Sequence, residues 1–147
     1  MLDSEIAAQA ALLTGKDQNA AYAALQALEA ESAESDAVYA FFDRFAAMLT
    51  AGSGIARARG LRLLAANARW DEERKLDGLL PEYLRHITDP KPIVARQCMA
   101  ALPAIAAARP DLRPAVRAAL ETADFSGYAE TMAPLLLRDQ AEALSRI

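Results

Sequence analysis

Residues able to do chemistry are few in this chain, and they rarely come in sets. His86 is the single histidine, with Asp89 and Lys91 close behind it. Those three types could support acid–base chemistry, but no second histidine, cysteine nucleophile or glycine-rich loop accompanies them. A lone histidine at the end of a helix serves better as a cap on free carbonyls. Cys98 is the only cysteine, so an internal disulfide is excluded, and one thiol cannot by itself hold a zinc or iron–sulfur centre. The residue types therefore predict no catalytic constellation, no metal ligand set and no cofactor.

Polar residues suited to binding are more plentiful. Trp70 and Asp71 fall at a corner between two helical stretches, three residues after Asn67. An exposed tryptophan there could anchor a partner or a base. The structural alternative is a corner plug, with Asp71 capping the next helix and Asn67 tying down the previous one. Arg57, Arg59, Arg62 and Arg69 lie on one helix, and Arg62 and Arg69 share a face seven residues apart. Such a row suits phosphate or an acidic peptide, or else bonds to the ends of adjacent helices. Asp89, Lys91, Arg96 and Gln97 read as a polar cluster ahead of a third hairpin. The candidate contact residues are thus Arg57, Arg59, Arg62, Asn67, Trp70, Asp71, His86, Lys91, Arg96 and Gln97.

The elements that must position these residues are repeats. Ala20/Ala24/Leu28, Ala56/Gly60/Leu64 and Val94/Cys98/Leu102 follow one pattern of small and large apolar residues. A second set follows each of them: Val38/Phe42/Leu49, Leu76/Leu80/Ile87 and Leu112/Val116/Ala123. A period in this range marks helical hairpins that bury their apolar faces only against neighbours. The expected walk starts with a helix over Ser4–Leu13 capped by Asp3/Ser4. Three hairpins follow, at 19–49, 55–87 and from the Thr88–Pro92 linker to Ala123, and a last helix covers Tyr128–Ile147, kinked at Pro134. Pro103 should bend the helix it interrupts. Aligning the second helices of the last two hairpins predicts Asp77 beside Arg113 and Arg85 beside Glu121. Cys98, aligned with Ala24 and Gly60, is expected to be there because it is small and lets two helices approach.

Composition agrees. Of 147 residues, 36 are alanine and 20 leucine, which favours helix almost throughout. The length suits one domain, residues 1–147. The net charge of −4 lacks the basic balance of a nucleic-acid module, although 13 of the 16 cations are arginine. No apolar run approaches the ~18 residues of a membrane span. The acidic start, Met-Leu-Asp-Ser-Glu-Ile, is unlike a secretory signal, and the chain reads as cytoplasmic.

The stretch Asp89–Arg96 leading into Cys98 and Leu102 resembles the first helix of a HEAT repeat, with Ala95 at the usual arginine position and Arg96 one residue later. Ala56-Arg57, Gly60 and Leu64 match the same pattern. The segments 65–71, 86–92 and 95–98 are similar to a family of small bacterial HEAT-like proteins, some labelled as SufBD iron–sulfur-assembly proteins; a lone Cys98 gives that label no support. The resemblance implies an all-α, short right-handed α-solenoid of about three hairpins with an extra helix at each end, about eight helices in all. It implies no established activity; the curved ridge that stacked hairpins form suits a non-enzymatic module binding a protein or peptide. The alternative is a nucleic-acid-binding or base-excising protein of the HEAT-like DNA glycosylase type, in which tryptophan, aspartate and arginine line a groove. A prosthetic-group lyase or assembly factor is a third possibility, on fold analogy alone.

Overall fold

A computed structural model describes residues 1–147, and every regular element in it is helical. The eight α-helices are α1 (Asp3–Leu12), α2 (Gln18–Glu34), α3 (Phe42–Met48), α4 (Gly54–Ala66), α5 (Lys75–Arg85), α6 (Pro92–Ala108), α7 (Arg113–Thr122) and α8 (Ala133–Ser145). Four short 3₁₀ turns join them: Ala37–Phe41 leads into α3, Ala68–Trp70 follows α4, His86–Thr88 ends α5 and Pro110–Leu112 opens α7. The all-α class and the eight helices match the expectation.

The helix ends follow from local chemistry. The Asp17 carboxylate accepts from the Ala20 amide at 3.1 Å and starts α2, and Ser53 does the same for Ala56 at 3.3 Å and starts α4. Asp3 and Ser4 do not cap α1. They lie inside or at the first turn, Leu2 holds the cap position, and Glu5 reaches back to the Leu2 amide at 3.4 Å. Pro134 lies in the first turn of α8 and not in its middle, so the last helix starts later than expected and carries no kink there. Helix α6 continues through Pro103 from Pro92 to Ala108.

The first helices of the hairpins pack side by side in chain order: α2 on α4, α4 on α6, and α6 on α8. Helix α3 leans on α4, α7 lies between α6 and α8, and α1 closes the other end against α2. One contiguous core of thirty buried residues runs through all of them. It contains Leu28, Leu64 and Leu102 from the first helices and Phe42, Leu80 and Val116 from the second, as the repeat pattern requires. Small residues set the spacing. A Cβ on Gly60 would meet the Phe45 carbonyl oxygen at 2.8 Å and the Met48 Cβ at 2.9 Å, so α3 crosses α4 directly over that glycine. Cys98 holds the equivalent place in α6, fully buried, with Sγ 3.6 Å from the Tyr83 carbonyl oxygen.

Candidate functional site

Two buried carboxylates organise most of the candidate residues. Asp71, 6% exposed, lies between the Ala68–Trp70 turn and α5. It accepts from the Lys75 and Leu76 amides at 2.9 Å each, so it caps α5 from four residues upstream. The intervening loop closes through Arg74, whose φ of 56° is left-handed. Asp71 also accepts from the Tyr39 hydroxyl at 2.5 Å, from the first hairpin, and from Arg109 Nη1 at 3.0 Å, from the third. One carboxylate therefore ties three consecutive hairpins. Burial, then the Asp71 hydrogen bond, push the Tyr39 phenol well above its ordinary range.

Asp89 is the second junction, 3% exposed between α5 and α6. Arg57 grips it with Nε and Nη2, both at 2.9 Å, and also holds the Ala51 carbonyl. The Lys91 amide donates to it at 2.9 Å, and His86 Nδ1 lies 2.8 Å away. Its main-chain oxygen accepts from the Tyr128 hydroxyl of the segment before α8. Burial favours the protonated acid here. The Arg57, Lys91 and His86 contacts outweigh it and hold the Asp89 carboxyl below the usual range.

The remaining candidates divide the same way. Arg59 is 7% exposed and donates to the Leu13 carbonyl and the Gln18 side chain at 2.9 Å each, fastening α4 to the end of α1. Burial lowers its pKa. Asn67 is fully buried and donates to Ser32 Oγ and to the Leu63 carbonyl. The Trp70 indole N–H donates to the Ser32 carbonyl at 2.7 Å, which makes it a corner plug across α2 and α4. Arg62 pairs with Glu29 of α2 through both nitrogens. Arg69 stacks over the Trp70 ring, 4.9 Å from its centroid, and makes one bond to the Ala33 carbonyl.

Asp89, Lys91, Arg96 and Gln97 do not form one cluster. Arg96 is exposed and pairs with Asp139 of α8 at 2.7 Å, the Lys91 side chain is exposed, and Gln97 faces a different side of α6. The 100° step between helical neighbours separates them. The expected Asp77–Arg113 and Arg85–Glu121 pairs do not form either. Asp77 is taken by Arg109 and Arg74, Arg85 by Glu82 of its own helix at 2.9 Å, and Glu121 by Arg117 at 3.7 Å. Helices α5 and α7 border one depression, where Leu84 and Arg85 face Ala119 and Thr122, but their charged side chains are taken by nearer partners. Arg109, at the α6–α7 corner, was not picked out by sequence reasoning, yet it contacts Asp71, Asp77 and Asp111 together. Its signal was its place beside Pro110, at the end of a long apolar helix where the chain must turn.

What these ties leave open is a trough across α2, α4 and α6. Two adjoining depressions of about 430 and 500 Å³ share Glu29, Ala65, Ala66 and Ala104. The floor is alanine, with Ala100 and Ala101 at one end and Ala107 and Ala108 at the other. Arg62, Arg69 and Gln97 stand on the rim. Two arginines against one glutamate give the trough a local charge of +1 on a chain of −4. No helix is long and apolar enough to cross a membrane. Comparison with family models, with curated proteins and with solved structures returned no match.

Proposed function

We propose that the chain is a non-enzymatic, HEAT-like α-solenoid module, cytoplasmic, that binds a helical segment of a partner protein or peptide in the alanine trough. The observation that carries this reading is the contrast between the trough and everything around it. Nearly every candidate polar residue is tied to a neighbouring hairpin, whereas the trough floor is uncovered and Arg69 stands exposed on its rim. Alanine floors admit close approach of another helix, because interaxial distance is set by side-chain size at the contact. The floor is lined by alanine methyl groups with no polar side chain among them, so an occupant crossing it must satisfy its own backbone groups, as a helix does. From Gln97 to Ala108 the trough follows α6 for ~16 Å, about three turns. Arg69, the exposed rim cation that Glu29 leaves unpaired, favours an occupant with an acidic flank.

The nucleic-acid reading draws less support. Trp70 spends its indole N–H on Ser32, and Arg57, Arg59 and Arg62 are committed within the protein. Affinity for a phosphate backbone rests on several free cations.

Replacing Ala104, an exposed floor residue, with arginine tests the proposal. Ala104→Arg should leave the unfolding free energy within about 0.5 kcal/mol of the parent. It should abolish retention of the polypeptides that co-purify with the parent from its native cytosol. Unchanged retention would overturn the assignment of the trough.

A further inference from the structure

The outer face that carries the trough continues past it. Tyr22, Ile55 and Ile93 are 49%, 53% and 59% exposed, one large apolar side chain left uncovered on each of α2, α4 and α6. Each lies seven residues ahead of a trough residue: Glu29, Arg62 and Ala100 in turn. Seven residues make two turns, so the three share the trough's face and stand ~11 Å before it. Building on the trough as the docking site, we propose that they anchor its occupant. That occupant is an amphipathic partner helix antiparallel to α6, with an acidic first turn at Arg69 and a bulky apolar residue near its C-terminus over Ile55 and Ile93.

The three helices run the same way. Arg59, in the second turn of α4, bonds Gln18 at the start of α2. A Cβ on Gly54 would lie 3.3 Å from Lys91 Cγ and Val94 Cγ2, at the start of α6. At the other end Asn67 bonds Ser32, and Ala33, Arg69 and Ala108 line one depression. The partial negative charges of three helix C-termini thus gather beside Arg69, and the positive ends gather by Ile55 and Ile93. An occupant running the opposite way sets its own positive end against the first and its negative end against the second. Asp or Glu in its first turn suits its own dipole and pairs with Arg69, the exposed cation there. Its last carbonyls lie toward the exposed Lys91. From Ile93 to Ala108 the face spans ~22 Å, about four turns. Small residues fit over the alanine half, and a Leu- or Phe-sized one over the isoleucines, whose burial supplies affinity that alanine methyls cannot.

Two fluorescent, stapled helical peptides of about five turns serve as probes. One has an acidic first turn, an alanine face and leucines in its last turn; the other is its reversed sequence. Anisotropy should show saturable binding of the first and about fivefold weaker binding of the second. Ile55→Ser/Ile93→Ser, at exposed positions, should keep the parental melting temperature and weaken the first peptide about tenfold or more. Parental affinity in that variant, with binding lost in Ala104→Arg, overturns the anchors and leaves the trough standing. Equal affinity for both peptides overturns the direction. Unchanged binding in Ala104→Arg, or none to the parent, overturns trough and anchors together. Sedimentation of the parent alone as a dimer that Ile55→Ser/Ile93→Ser returns to monomer assigns the face to a second copy and overturns the partner helix.

Discussion

Asp71 shows how much one side chain can organise. Its two oxygens receive a tyrosine from the first hairpin, two amides of the second and an arginine of the third. Removing it takes one of three carboxylates from Arg109 and leaves the Tyr39 hydroxyl and the Lys75 and Leu76 amides without their acceptor. Asp71→Ala should therefore lose ~2–4 kcal/mol in denaturant unfolding, the cost of a lost helix cap plus donors left without an acceptor. A loss under 1 kcal/mol would show that Asp77 and Asp111 suffice for Arg109. Two glycines make a sharper contrast. Gly60→Ala pushes a methyl into the Phe45 carbonyl and should cost ~1–3 kcal/mol. Gly78, exposed in α5 with nothing within 4 Å, should gain ~0.5–1 kcal/mol on replacement by alanine. Equal effects at both positions would contradict the proposed close crossing of α3 over α4. The roles of Trp70, Asn67 and Asp71 at their corner were legible in the sequence, because a tryptophan between two helical stretches and an aspartate before the next have few other uses. The Asp89 partner was not. The arginine that grips it is Arg57, thirty-two residues earlier, and sequence proximity favoured Arg96.

At the scale of elements, the repeat spacing located every hairpin, because small and large apolar residues at i and i+4 dictate which face turns inward. It did not locate the side-chain pairing across the second helices. That pairing depends on how far each hairpin rotates on the last, which no single period encodes. The polar joints between elements carry a pH dependence whose sign follows from Asp89. Its carboxyl is held below the usual range in the folded protein, so its stabilising contribution is complete above the unfolded value near ~4 and is lost as pH falls through the lower folded value. Asp77 and Asp111, both held down first by the Arg109 hydrogen bond, act in the same direction. The melting temperature should fall as pH drops below about 4. Asp89→Asn should melt lower at neutral pH and show a shallower fall in acid. A profile as steep in Asp89→Asn as in the parent would remove Asp89 from this account. Cys98 reports on the same packing. Burial, followed by the nearby Asp89 charge, pushes its thiol far above the ordinary range, so labelling of the native chain should be slow and should accelerate on unfolding.

For the molecule as a whole, the array separates what holds it together from what it offers outward. The joints use nearly all of the conspicuous polar residues, and the uncovered surface is made of alanines that looked unremarkable in a sequence with 36 of them. This is why the fold class could be read from the chain while the trough could not. A residue that packs against a future partner looks the same, in sequence, as one that packs against its own neighbour. The measurement that bears most directly on the central claim is site-specific photo-crosslinking in the native cells. A photoreactive residue at Ala104, on the trough floor, is compared with one at Ala118, exposed on α7 away from it. The account predicts discrete crosslinked polypeptides from position 104, competed by unmodified parent protein, and none from position 118. Crosslinks from position 118 with none from 104 would contradict it.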